Sequence, residues 1–323
     1  MRALLCKELG KPLVIEEVKS LQPKTGEIVI DVKAAGLNYP DTLIVQGKYQ
    51  FQPELPFSPG GEVAGVVKAI GTEVEHLSIG DRVMAGTSWG GLAEEARSMA
   101  TNAFIIPDRM SFDLAAVSCM TYGTSYHALV DRAQVKKGET LLVLGAAGGV
   151  GTAAIQIAKR LGLKVIAAAS TDEKLSYCKE TLGADLVINY STENIKERAK
   201  ELTGGKGVDV IYDPVGGSMA ESVFRAIARN GRYLVVGFAG GNIPSIPFNL
   251  PLLKSASIVG VFWGGLFRNE PQVNRKNFEQ LTTWFAEGSI QSHIHAEYTL
   301  EQVSEAMEEI LGRKVKGKCL IKI

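Results

Sequence analysis

What the sequence lacks narrows it first. Only four of its 323 residues are cysteine, Cys6, Cys119, Cys178 and Cys319, far apart and with no CxxC pair. Neither a zinc ribbon nor a disulfide scaffold is expected from that spacing. There is no excess of charge: 35 basic residues balance 35 acidic ones. Bulk electrostatic attraction to nucleic acid or to an anionic membrane is therefore absent, and no such partner is expected. No internal repeat and no low-complexity tract occurs. Met1 to Glu8 holds no apolar stretch ahead of its charges, so no signal peptide is expected. Cys319 is fifth from the end, off the position that a prenylation box requires. One uncharged stretch, Thr140 to Ala158, approaches the length of a membrane span. Gly145, Gly148, Gly149 and Gly151 interrupt it, and it suits a strand, a turn and a helix better. The expectation is a cytoplasmic globular protein.

What is present changes texture along the chain. From residue 1 to about 122, short β-rich runs such as Glu27–Val32, Gly65–Ile70 and Asp81–Met84 are broken by Gly and Pro, which predicts a compact β domain. From about 123 to 267 the pattern becomes strand, helix, strand. Its apolar runs Leu141–Leu144, Val165–Ala168, Leu186–Ile188, Val208–Tyr212, Tyr233–Val236 and Ile258–Phe262 are short and nearly continuous. Strands covered on both faces read that way. The fold class is therefore α/β, with a doubly wound parallel sheet of about six strands. Residues 268–323 read as a polar-rich helix, a second helix at Leu300–Leu311 and a final strand, Lys318–Ile323.

The strongest motif is Leu141-Leu142-Val143-Leu144-Gly145-Ala146-Ala147-Gly148-Gly149-Val150-Gly151. It reads as a strand, a tight turn and the start of a helix that Gly162 closes before the strand opening at Lys164. Glycines there let backbone approach a pyrophosphate, and the helix N-terminus offers free N–H groups and partial positive charge. The second strand decides between dinucleotides, since an NAD site wants an acid at its tip, roughly 20 residues past the loop. Here the strand ends in Ser170. Asp172 and Glu173 follow, but Ser170-Thr171-Asp172-Glu173 also matches a capping box with Ser170 as N-cap. Lys174, one position further, suits a 2′-phosphate. The expected cofactor is NADPH.

At this point the chain resembles the zinc-independent members of the medium-chain dehydrogenase/reductase superfamily, in the quinone oxidoreductase (zeta-crystallin-like) branch. The segments that carry the resemblance are Ala35-Gly36-Leu37-Asn38-Tyr39-Pro40-Asp41, Pro59-Gly60-Gly61-Glu62-Val63-Ala64-Gly65, Gly80-Asp81-Arg82-Val83, Gly138-Glu139 with the glycine loop, Tyr212-Asp213-Pro214-Val215-Gly216-Gly217, and Gly260-Val261-Phe262-Trp263-Gly264. They run in order along essentially the whole chain. The resemblance implies a GroES-like substrate domain at 1–122, completed by 268–323, a Rossmann domain at 123–267, and a cofactor cleft where they meet. It also implies a homodimer through the last Rossmann strand, around Ile258–Trp263. Where zinc alcohol dehydrogenases place Cys, His and Cys ligands, this chain has Asn38, Gly61 and Met120, a set unable to hold a catalytic Zn²⁺.

Without that Lewis acid, the resemblance implies hydride transfer from NADPH to an electron-poor acceptor: a quinone, or alternatively an alkene conjugated to a carbonyl (enal, enone or enoyl thioester). A non-catalytic NADPH-binding protein is the third reading. By resemblance, Tyr49 is the proton donor or acceptor-orienting group and Asn38 a polar anchor beside the nicotinamide. Thr124 touches the nicotinamide end, with Phe238, Ala239, Phe262 and Trp263 flanking it. Gly148, Gly149 and Val150 hold the pyrophosphate, and Ser170, Lys174, Tyr190 and Arg313 meet the 2′-phosphate. Two charge-assisted contacts from Lys174 and Arg313 supply roughly 2–4 kcal/mol, a preference for NADPH of roughly 30- to 700-fold.

Three further signals read blandly. Gly86-Thr87-Ser88-Trp89-Gly90 matches a hydrolase elbow but lies in the β-rich region, where it reads as a turn. His293 and His295 fall on one face of a strand without a third ligand. Arg268, Arg275 and Lys276 read as a solvated helix face, with the phosphates of a coenzyme A substrate as the alternative.

Overall fold

The computed structural model describes all 323 residues, which divide into two units: Met1–Gly123 with Gly264–Ile323, and Thr124–Trp263. Seven strands come first: β1 (Arg2–Leu5), β2 (Val14–Glu17), β3 (Glu27–Leu37), β4 (Glu62–Ile70), β5 (Arg82–Gly86), β6 (Glu95–Met99) and β7 (Ala103–Ile105). Six follow: β8 (Thr140–Val143), β9 (Lys164–Ala169), β10 (Leu186–Asn189), β11 (Val208–Asp213), β12 (Ile227–Val235) and β13 (Ser257–Gly260). Two more, β14 (Ile294–Thr299) and β15 (Lys318–Lys322), close the chain.

In the first unit the sheet runs β14-β15-β3-β4-β5-β7, with β6 also paired to β3. All its pairings are antiparallel except β14 with β15. Alternating positions of β3 and β4, such as Ile28, Ile30, Val32, Val63 and Val67, enter a core that Tyr298, Val303 and Ile321 complete. The last strand thus sits beside β3, with Cys319 opposite Leu37, while Gly36 stands opposite Glu62 across the β3–β4 pair. Three strand ends, those carrying Leu37, Glu62 and Lys318, come together there.

The second unit is a six-stranded, all-parallel sheet in the order β10-β9-β8-β11-β12-β13. Counted from β8, that is 3-2-1-4-5-6, the doubly wound order, with a topological switch between β8 and β11. Leu142, Leu144, Ile166, Ile188 and Ile211 are fully buried in it, which is why these strands read as continuous apolar runs.

The structure departs from the sequence reading at two places. The N-cap of the helix Asp172–Ser176 is Thr171, whose hydroxyl accepts from the Lys174 N–H at 3.3 Å, not Ser170. The Ser170 carbonyl instead accepts from the Ser191 hydroxyl at 2.9 Å, so the chain is still tied to the strand tips there. β12 begins at Ile227, before Asn230-Gly231. That turn-like pair is absorbed within the strand, with Asn230 at φ 62° and a register shift opposite Val208 and Val210. β14 lies between the two C-terminal helices and carries His295, with His293 just before it. No helix is long and apolar enough to cross a membrane.

Candidate active site

Two constellations are candidates for the chemistry. The first lies at the carboxyl end of β8. Gly145 turns the chain with φ 55°, and a Cβ there would lie 3.0 Å from Val215, just past the end of β11. The switch point is therefore lined by the two strand ends where open α/β sheets take ligands. Gly151 packs the helix Gly149–Arg160 onto that turn: a Cβ on it would meet the carbonyl oxygens of Gly145 and Ala146 at 2.5 and 2.7 Å. The helix has Gly148 as N-cap and no side chain capping its N–H groups. Uncapped amides at the start of a long helix, beside a turn of small residues, fit a pyrophosphate, and Gly148, Gly149 and Val150 form that helix start.

Across the sheet, Ser170 follows β9, Lys174 lies in the helix Asp172–Ser176, and Tyr190 follows β10. The N–H of Tyr190 donates to Ala169 at 3.2 Å, and its half-buried ring packs on the core of this unit. Phe238 and Ala239 follow β12, where the Ala239 N–H donates to Pro214 at 3.0 Å. Thr124, in the helix Cys119–Tyr126, is half-buried. Phe262 is 45% exposed, while Trp263 is buried. Arg313 belongs to the other unit; it is exposed and follows the helix Val303–Leu311.

The second constellation, inside the first unit, is a closed polar cluster around Asn38. Asn38 follows β3 as N-cap of the helix Tyr39–Ile44. Its side-chain amide nitrogen donates to Glu62 at 2.9 Å and to the Gly36 carbonyl at 3.2 Å. Its Oδ1 accepts from the Lys318 ammonium. That ammonium also donates to the Leu37 carbonyl at 2.8 Å and lies 2.7 Å from Glu62, so all three of its protons are used. The second Glu62 oxygen accepts from the Met120 N–H at 2.7 Å. Gly36 is required beside it, since a Cβ there would reach Glu62 at 2.5 Å. Asp41 accepts from the Asn38 and Gly60 N–H groups at 2.7 and 3.2 Å. All four side chains are buried.

Burial raises the Asp41 carboxyl to about 6, against the opposing pull of its backbone donors and Lys318. Tyr49 is half-buried on the edge of the same core and stands edge-on to Phe51 at 6.3 Å. Its phenol is pushed up, by burial first and by the Asp41 charge second. The Cys119 thiol is raised strongly by burial and by Glu62, which leaves it inert as a ligand or nucleophile. Around the three positions where zinc dehydrogenases hold metal, the chain thus offers an amide bound to an ammonium, a glycine and a thioether. That donor set does not fit Zn²⁺. Sequence reasoning named Asn38 but missed Glu62 and Lys318, because nothing local in the chain signals that the start of the last strand reaches the end of β3.

Comparison with known proteins agrees with this architecture. The family described as Zinc-binding dehydrogenase matches residues 149–287, and Alcohol dehydrogenase GroES-like domain matches residues 24–130. The chain is 42% identical over 324 residues to a quinone oxidoreductase-like protein 2 homolog of Nematostella vectensis, covering 99% of this chain and 88% of the relative. It is 34% identical over 326 residues to the quinone oxidoreductase of Homo sapiens, covering 99% and 97%. A crystal structure of Escherichia coli quinone oxidoreductase complexed with NADPH matches at a TM-score of 0.92 and 31% identity, covering 100% of both chains. With both halves matched in order and its full length shared with these relatives, the chain belongs to the quinone oxidoreductase branch of the medium-chain dehydrogenase/reductase superfamily.

Proposed function

We propose that the protein is an NADPH-dependent oxidoreductase that delivers a hydride to a quinone. The observation that carries this reading is the donor set around Asn38. With no ligands suited to a Lewis acid, the acceptor must hold the incoming charge on its own oxygens, as a quinone does. Relatives named quinone oxidoreductase, one of them crystallised with NADPH, support the same reading.

NADPH, when bound, supplies the hydride. Gly148, Gly149 and Val150 would hold its pyrophosphate, and Ser170, Lys174 and Tyr190 its 2′-phosphate. Thr124, Phe238, Ala239, Phe262 and Trp263 bound the nicotinamide end. Asn38, fixed by Lys318 and Glu62, is a preset polar wall for the reacting groups. Tyr49, half-buried beside this cluster, would orient the acceptor or donate a proton to it.

Reduction of a conjugated enal, enone or enoyl thioester is the second reading, favoured by the same Tyr49. Rates with a benzoquinone, phenanthrenequinone, an enal and crotonyl-CoA separate the two. Quinone turnover above the others supports the proposal, and faster alkene reduction replaces it with the second reading.

The protein also forms a homodimer in this proposal. β13 is an edge strand, and Phe248, Leu252, Leu253 and Ile258 near it are 85%, 77%, 72% and 40% exposed. An apolar patch beside an open sheet edge wants a partner, and a second copy supplies one.

A further inference from the structure

The second strand of a dinucleotide-binding unit ends near the adenosine ribose, and an acid about 20 residues past the glycine turn takes the 2′-hydroxyl in NAD-dependent proteins. This chain has an acid close to that place, three residues past the end of β9. Asp172 opens the helix that follows β9, yet the cofactor expected here carries a phosphate at that position, which a free carboxylate would repel. The structure shows what becomes of it: Asp172 Oδ1 accepts from the side-chain amide of Asn189 at 2.7 Å.

Asn189, the last residue of β10, is 8% exposed, and its orientation is fixed from several sides. Its Oδ1 accepts from the Ser191 N–H at 3.1 Å, so the NH₂ end of the amide is the one turned to Asp172. Its own N–H donates to Glu193 at 2.7 Å. Its carbonyl accepts from the N–H groups of Thr192 and Glu193 at 3.1 and 2.8 Å. Ser191 in turn donates to the Ser170 carbonyl at 2.9 Å, which ties the tips of β9 and β10 together. An anchored donor thus holds the carboxylate of Asp172, which lies between Ser170 and Lys174 in the chain.

We infer that Asn189 is a specificity-determining residue for the dinucleotide: by binding Asp172, it keeps that carboxylate from taking the ribose 2′-hydroxyl of NADH and from opposing the 2′-phosphate of NADPH. The bond occupies one carboxylate oxygen, fixes the rotamer and offsets part of the charge. Asn189 acts through Asp172 and does not itself touch the nucleotide. The inference rests on the reading of NADPH as cofactor.

Equilibrium binding of NADPH and of NADH, followed by nucleotide fluorescence without an acceptor, tests it in the whole protein. The variants are Asn189→Leu, Asp172→Asn and the two combined, with Asn189→Ser as a smaller change should leucine disturb folding. Asn189→Leu or Asn189→Ser is expected to narrow the NADPH-to-NADH affinity ratio by about tenfold. Asp172→Asn is expected to keep or widen it, and the combined variant to restore it. An equal loss of both affinities, an unchanged ratio, or no restoration in the combined variant overturns the inference. The wild-type ratio judges the cofactor reading separately: NADH bound as tightly as NADPH contradicts that reading, whatever the variants do.

Discussion

The ammonium of Lys318 lies 2.7 Å from the carboxylate of Glu62, with the two side chains 6% and 0% exposed. The pair joins the first residue of the last strand to the first residue of β4, and Asn38 is hydrogen-bonded to both partners. Two buried charges gain little over an apolar pair of similar shape, but removing one leaves the other stranded.

Lys318→Met is therefore expected to destabilise the protein by about 3–5 kcal/mol. Adding Glu62→Gln should recover a large part of that loss, since no uncompensated carboxylate remains. Urea unfolding of the single and double variants checks this. A double variant no more stable than Lys318→Met would show that the charge of Glu62 is not the cause.

Asp41 gives stability a pH dependence of definite sign. Its carboxyl titrates at about 6 in the folded protein against an ordinary 3.8, so the folded state binds the proton more tightly. The stabilisation is full below about pH 4, is lost as pH rises to about 6, and stays lost above. Relative to Asp41→Asn, the wild type should lose about 3 kcal/mol across that window. Unfolding curves at intervals of pH measure it. A difference that stays flat, or grows in favour of the wild type with rising pH, contradicts the assignment.

Tyr49→Phe separates the acceptor classes. An alkene needs a proton placed at carbon, so turnover of an enal or of crotonyl-CoA should fall by about 10²-fold. Quinones take their protons from solvent, and their rates should change only a few-fold. An equal effect on every acceptor would remove Tyr49 from the proton-donating role.

Leu252→Glu with Leu253→Glu tests the apolar patch. Light scattering after gel filtration should show a dimer for the wild type and a monomer for the variant. A wild-type monomer, or a variant dimer, contradicts the proposed interface.

Much of the parallel sheet was legible because its strands are buried on both faces. Leu141–Leu144, Val208–Tyr212 and their neighbours could be read as strands without tertiary information. The glycine turn was legible because Gly145 and Gly151 answer local steric demands. The polar cluster was not. Lys318 looked like an ordinary residue opening a final strand, and only the pairing of Cys319 with Leu37 brings it to Asn38. The clamp on Asp172 was hidden for the same reason: Asn189 sits on a different strand, and its amide has meaning only once β9 and β10 lie side by side.

In the proposed reaction NADPH reduces a quinone without a metal. The most direct measurement is the rate of NADPH oxidation with a benzoquinone after exhaustive chelation and dialysis of the protein, with NADH run in parallel. Full activity after chelation and a preference for NADPH of roughly 30-fold or more are expected. Activity that disappears on chelation and returns with Zn²⁺, or no quinone turnover at all, would contradict it.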